Sequence, residues 1–113
     1  MHEYALIQSL VERVEAEART RHASAVHRLS VRIGELSGVD VGLFRTAFET
    51  FRERTICEGA ELVVDTVPVQ WACEQCGEPI QPGRPLQCAI CHSPARLIGG
   101  DEIILDQIEM EVA

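Results

Sequence analysis

The sequence predicts an α+β fold: two helices packed on a small three-stranded sheet, with a small lobe inserted before the last strand. Three observations predict it. Apolar residues recur three or four apart in two segments and alternate with polar ones in others, and four cysteines pair off in a stretch rich in proline and glycine.

From about residue 3 to 21, Ile7, Leu10, Val11, Val14 and Ala18 make one apolar stripe, the mark of an amphipathic helix. Glu15 with Arg19, and Glu17 with Arg21, fall at the favourable i,i+4 spacing on its polar side. Leu29, Val31 and Ile33 then alternate with Arg28, Ser30 and Arg32, as in a half-buried strand. His27 falls on the Leu29 face and is expected at the core edge, while His22 has no assignment. Gly34 and Gly38 bracket a turn. A second helix is expected from about 41 to 54, with Phe44, Ala47, Phe48 and Phe51 buried and Asp40 as its N-cap. A second strand covers roughly 61 to 69, apolar on both faces at Leu62, Val63 and Val64, and Pro68 marks its end or an edge. Residues 71–94 show no clear period. Ile104, Ile108, Met110 and Val112 then alternate with Gln107, Glu109 and Glu111, which predicts a third strand returning to the main sheet. The expected division is a helix–sheet part over 1–70 and 99–113 and an inserted lobe over 71–98.

The 113 residues suit one compact domain with a small staple-bound lobe. There are 18 acidic and 10 basic residues, all of the latter arginine, for a formal charge of −8. That balance opposes binding to a phosphate backbone and suits metal cations or a basic partner surface. No secretory leader and no membrane-spanning apolar run is recognisable, so a cytoplasmic protein is expected, as a monomer or weak homodimer. In a reducing compartment five cysteines read as metal ligands before disulfides.

Cys73-x2-Cys76 and Cys88-x2-Cys91 are separated by eleven residues. Each pair grips a metal from one tight turn, and two such turns complete a tetrahedron of thiolates. Gly77 follows the first pair, where a positive φ turns backbone N–H groups toward sulfur. Pro79, Pro82, Gly83 and Pro85 describe a loop unable to build a core, so bound metal must supply the lobe's folding energy. The spacing therefore predicts a zinc-ribbon-like lobe with a closed, structural Zn(II) site. Iron in a rubredoxin-like site and a pair of redox dithiols are the competing readings. His92 matches Gly77 in position and could replace a cysteine or donate to sulfur, and Cys57 reads as a buried apolar thiol.

His2 offers different chemistry. A histidine in second position lets the terminal amine of Met1, the deprotonated His2 amide and the imidazole chelate one ion in fused five- and six-membered rings. Ni(II) and Cu(II) prefer such tetragonal nitrogen sites. The fourth donor is open between the Glu3 amide or carboxylate and Asp40, and an ordinary exposed terminal histidine remains the bland alternative.

Met1-His2-Glu3 opening a helix, Gly34-Glu35-Leu36 after a strand, Phe44 and Phe48 on the next helix, and the paired CxxC turns together resemble the HypA/HybF hydrogenase nickel-incorporation family over essentially the whole chain. The resemblance implies a nickel metallochaperone, not an enzyme, binding Ni(II) through Met1, His2 and Glu3 and structural Zn(II) through Cys73, Cys76, Cys88 and Cys91. It implies work with a HypB-type GTPase and delivery to the [NiFe]-hydrogenase large-subunit precursor, with urease maturation served in some members. Asp40 matches a position where the family often carries an acid near the nickel terminus. Other function classes fit less well. The chain has no phosphate-binding glycine loop and no lysine, a zinc-ribbon interaction module leaves His2 unexplained, and so does a rubredoxin-like carrier.

Overall fold

A computed structural model describes residues 3–112. Helix α1 (Glu3–Thr20) buries Ile7, Val11, Val14 and Ala18, the spacing expected of its stripe, and carries Glu3 in the first turn where the helix dipole favours an acid. Of the two anticipated i,i+4 pairs, Glu17–Arg21 forms at 3.4 Å. His22, unassigned by pattern, takes a left-handed φ of 54° and ends the helix, so the chain turns at once into β1 (Ala23–Gly34).

Asp40 caps α2 (Val41–Phe51), its side chain accepting from the Leu43 N–H as the sequence predicts. The helix stops three residues earlier than its expected end at 54. The Thr55 hydroxyl donates to the Arg52 carbonyl at 2.6 Å, and Arg54 adopts a left-handed φ of 63°. The resulting turns fold Cys57 back into the core beside Ala60, which satisfies the expectation of a buried thiol. Strand β2 (Glu61–Val67) then lies parallel to β1, connected across α2.

The last strand, β6 (Ile103–Val112), pairs antiparallel with β1 on its other side, giving the sheet order β2-β1-β6. The return to the main sheet is therefore as expected, but the faces are not. The β1–β6 register slips three times, leaving Ser24, His27 and Asp106 as extra residues. The slip at Asp106 puts Ile103, Leu105, Ile108 and Met110 on the core side, so Ile104 is exposed and does not share the Ile108 face. The slip at His27 turns that side chain outward, where its Nε2 lies 3.3 Å from a Glu111 carboxylate oxygen, so it is not at the core edge. Both helices cover the other face, with Tyr4 of α1 meeting Phe51 of α2 edge-on at 6.3 Å between ring centres. The sheet's uncovered face carries Arg28 between Glu61 and Glu109, and Arg32 against Asp106. These are solvent-exposed pairs that contribute little to stability.

Between β2 and β6 the chain builds a second antiparallel sheet from β3 (Gln70–Cys73), β4 (Pro79–Ile80) and β5 (Ala95–Gly99), in the order β4-β3-β5. Strands of four, two and five residues are too short to print a period on the sequence, which is why this stretch reads as irregular. The molecule is elongated, 55 × 28 × 17 Å, with a radius of gyration of 18.0 Å. A compact chain of this length has about 13 Å.

Candidate metal sites

Two tight turns face each other, one between β3 and β4 and one closed by an isolated bridge between Gln87 and Pro94. After β3, Gly77 N–H bonds the Cys73 carbonyl at 3.0 Å, and His92 N–H bonds the Cys88 carbonyl at the same distance. Gly77 and His92 hold matching left-handed φ values of 76° and 59°. This conformation is easy for glycine and uncommon for histidine. Within each turn two backbone N–H groups point at the leading sulfur: Gln75 and Cys76 at Cys73, and Ile90 and Cys91 at Cys88, all between 3.3 and 3.5 Å.

The four sulfurs of Cys73, Cys76, Cys88 and Cys91 lie within 4.8 Å of one another, with Cys73 and Cys88 buried and Cys76 and Cys91 at the surface. Three of the separations are 3.1, 3.8 and 3.8 Å. A tetrahedral ion with metal–sulfur bonds near 2.3 Å sets its sulfurs about 3.8 Å apart, so the donor set and its spacing fit a zinc-sized ion. The thiols share their protons unevenly. Cys91 is drawn down to about 6 by the hydrogen bond from Cys73 and then by the Ser93 backbone and hydroxyl. The Glu78 backbone N–H favours the Cys76 thiolate, but the bonds to Cys73, Cys88 and Cys91, with desolvation, push it up to about 12. Four thiolates this close cannot all ionise without a cation among them.

Among the described residues the four cysteines are the metal-ligating cluster. His92 stands outside it and serves the turn, its carbonyl accepting from the Gln87 side chain at 2.9 Å. Sequence reasoning missed Ser93, which donates to the Cys91 sulfur. The available signal was a hydroxyl two residues past the second CxxC, matching the place of Glu78 after the first.

Met1 and His2 lie outside the described residues. Glu3 and Asp40 are brought together: the Asp40 backbone N–H donates to Glu3 Oε2 at 3.2 Å, while Asp40 Oδ1 caps α2 by accepting from Leu43 at 3.0 Å. The amino-terminal turn of α1 thus sits beside the amino-terminal end of α2, two positive dipole ends with two carboxylates between them.

Fold and site define a small metal-binding α+β protein in which a four-thiolate lobe is carried on a helix–sheet body. Residues 1–110 match the family described as hydrogenase/urease nickel incorporation, metallochaperone, hypA. The chain is 38% identical over 115 residues to the hydrogenase maturation factor HypA of Shewanella halifaxensis, covering 100% of both chains. It is similar to the solution structure of the Ni metallochaperone HypA from Helicobacter pylori, with a TM-score of 0.75, 35% identity and full coverage of both chains. A second solution structure of HypA protein gives a TM-score of 0.82 at 36% identity, covering 97% of this chain and 96% of the other. The chain belongs to the HypA family, the nickel metallochaperones of hydrogenase maturation, which is not an enzyme class. None of the described helices is long and apolar enough to cross a membrane.

Proposed function

We propose that this chain carries Ni(II) on its amino terminus and holds Zn(II), as a structural ion, on Cys73, Cys76, Cys88 and Cys91. The nickel donors are the Met1 amine, the His2 amide and imidazole and Glu3, with Asp40 as the neighbouring acid. The observation that carries this reading is the Asp40–Glu3 hydrogen bond at 3.2 Å, which ties the second acid to a residue adjacent to His2. Glu3 and Asp40 supply negative charge where a divalent cation would arrive.

Zinc, when bound, supplies the cross-link that folds its lobe and no open coordination position. The protein's own groups do the rest. Backbone N–H donors from Gln75, Cys76, Ile90 and Cys91 orient the leading sulfurs toward the centre of the cluster, and Ser93 favours the Cys91 thiolate. Nickel is cargo: a chelate formed by a chain terminus exchanges by peeling away, and protonation of its nitrogens in acid releases the ion. The two parts divide at 1–70 with 99–113 and at 71–98, in the cytoplasm, as a monomer or weak homodimer. The expected partners are a HypB-type GTPase and the [NiFe]-hydrogenase large-subunit precursor, with urease maturation proteins as further clients.

Nickel titration of zinc-loaded protein with its native amino terminus tests this reading, alongside His2→Ala and a form with one residue added before Met1. Stoichiometric binding is expected in the first and lost in both others, with zinc retained. Unchanged binding in the two altered forms would sink the amino-terminal assignment.

A further inference from the structure

Gly34-Glu35-Leu36 lies at the end of β1, where the chain leaves the main sheet for the four-cysteine lobe and later returns. Three successive N–H groups hold both connecting segments. Glu35 N–H bonds the Val67 carbonyl of the outgoing segment at 2.8 Å, and Gly34 and Leu36 bond the Glu102 and Gly100 carbonyls of the returning one at 2.8 and 2.7 Å. Pro68 has no N–H to continue the ladder. The Glu35 side chain reaches past it, its Oε1 accepting from the Val69 N–H at 3.0 Å. Glu35 therefore grips the outgoing segment on both sides of the proline.

The backbones here are in direct contact. A Cβ on Gly34 would lie 2.4 Å from the Gly100 carbonyl group, and a Cβ on Gly100 would lie 2.5 Å from the Val69 Cα. Three chain segments stack with no side chain between them. Beyond Leu36 the same turn continues through short bonds: Ser37 N–H to the Gly34 carbonyl at 3.0 Å, Val39 N–H to the Ser37 hydroxyl at 3.3 Å, and Asp40 N–H to Glu3.

We propose that Gly34–Leu36 is a clasp that fixes the direction of the four-cysteine lobe relative to the helix–sheet part, with Glu35 as its positioning residue. Because its turn runs on to Asp40 and Glu3, the clasp also holds the amino-terminal nickel donors in register with the lobe. This second half rests on the nickel reading above. An 18.0 Å radius of gyration means the two parts share little surface, so orientation must be set by the connectors. The glycine pair makes the close approach possible, and the Glu35 carboxylate accepts from Val69, the first N–H donor after Pro68.

The test uses zinc-loaded full-length protein and backbone N–H residual dipolar couplings, fitted separately for the two sheets. In the unaltered protein both sheets share one alignment tensor. Gly34→Ala, at a position without left-handed φ, should force the connectors apart: each sheet still fits its own tensor, and the common tensor is lost. Glu35→Gln keeps both reach and acceptor and should retain the common tensor. Glu35→Asp keeps the charge but falls short, and should lose it together with hydrogen-exchange protection of the Val69 amide. A common tensor surviving in Gly34→Ala, or Gln and Asp behaving alike, would overturn the clasp. If Gly34→Ala does not fold, the Gln–Asp pair decides. Nickel affinity should fall in Glu35→Asp and hold in Glu35→Gln. Equal nickel affinity in the two would overturn the register claim, and absence of amino-terminal nickel in the unaltered protein would sink the nickel reading while leaving the orientation result standing.

Discussion

In the helix–sheet part, a continuous cluster of buried residues runs from Ile7 through Phe44 and Phe48 to Ala60, fed by both helices and β1, with half-buried residues of β2 and β6 packed against it. In the lobe only Ala72, Cys73 and Cys88 are buried, while Leu86, Ile90 and Ile98 stand exposed at 51, 71 and 49%. The first part has a core in the ordinary sense, and apolar burial at about 25 cal/mol per Å² can hold it. The second has sulfurs where a core would be. The two parts of one short chain therefore meet the entropy of folding by different physics, one by excluding water and the other by binding an ion.

Withdrawing the metal should break this contrast most visibly. Structural zinc sites contribute about 10–16 kcal/mol to folding at neutral pH. Chelation, or Cys88→Ser, should abolish the dispersed amide signals of residues 70–99 while leaving those of α1 and the β2-β1-β6 sheet in place. Collapse of the whole spectrum would mean that the two parts fold as one unit. The converse variant attacks the other core. Phe48→Ala, with Phe48 only 1% exposed, should lower the stability of the helix–sheet part by about 3–5 kcal/mol with metal stoichiometry unchanged at 25 °C. Urea unfolding followed by helical circular dichroism, and a metal assay on the same samples, check both halves.

The contrast also explains what the sequence made legible. Both helices, β1 and β6 announce themselves because each repeats its pattern against one shared core, while β2 shows as an apolar run closed by Pro68. The four ligand cysteines are legible for another reason: metal geometry constrains spacing directly, with no period required. The short strands of the lobe leave no such trace. The outward turn of His27 and the exposure of Ile104 were misread because a single inserted residue inverts every later side chain on a strand, and nothing in an alternating pattern marks where the slip falls. Gly34-Glu35-Leu36 was visible as a motif and opaque as a device, since its partners lie more than thirty residues away.

A pH dependence separates the two kinds of cysteine. Cys57 sits in the apolar core, and burial, followed by the nearby Glu15 charge, pushes its thiol up from 9.0 to about 11 against a small opposing effect of Thr55. Below pH 9 the thiol is neutral folded and unfolded, and contributes no slope. Between 9 and 11 the unfolded chain loses its proton first, so the folded state binds more protons and stability falls as pH rises. Cys57→Ala should lower overall stability at pH 7 yet flatten that alkaline decline, measured on zinc-loaded protein by thermal unfolding at closely spaced pH values. The unaltered Cys57 should also resist alkylation at pH 8 while the protein is folded. An alkaline decline identical in both proteins would show that the slope comes from other groups.

The smallest effect separates two tasks at Asp40, which caps α2 through Oδ1 and lies against Glu3 through its backbone N–H. As a cap, its replacement by alanine should destabilise α2 by about 1 kcal/mol, and by asparagine only by a few tenths, because the asparagine carbonyl accepts the same hydrogen bond from Leu43. As a contributor of charge or a donor to an amino-terminal nickel ion, the order differs: asparagine and alanine both remove the carboxylate. Asp40→Asn should therefore keep the unfolding midpoint and weaken nickel binding as much as Asp40→Ala does. Nickel affinity that follows helix stability across the two variants would leave Asp40 a cap alone, and the cation's environment would then be set by Glu3 and the terminus.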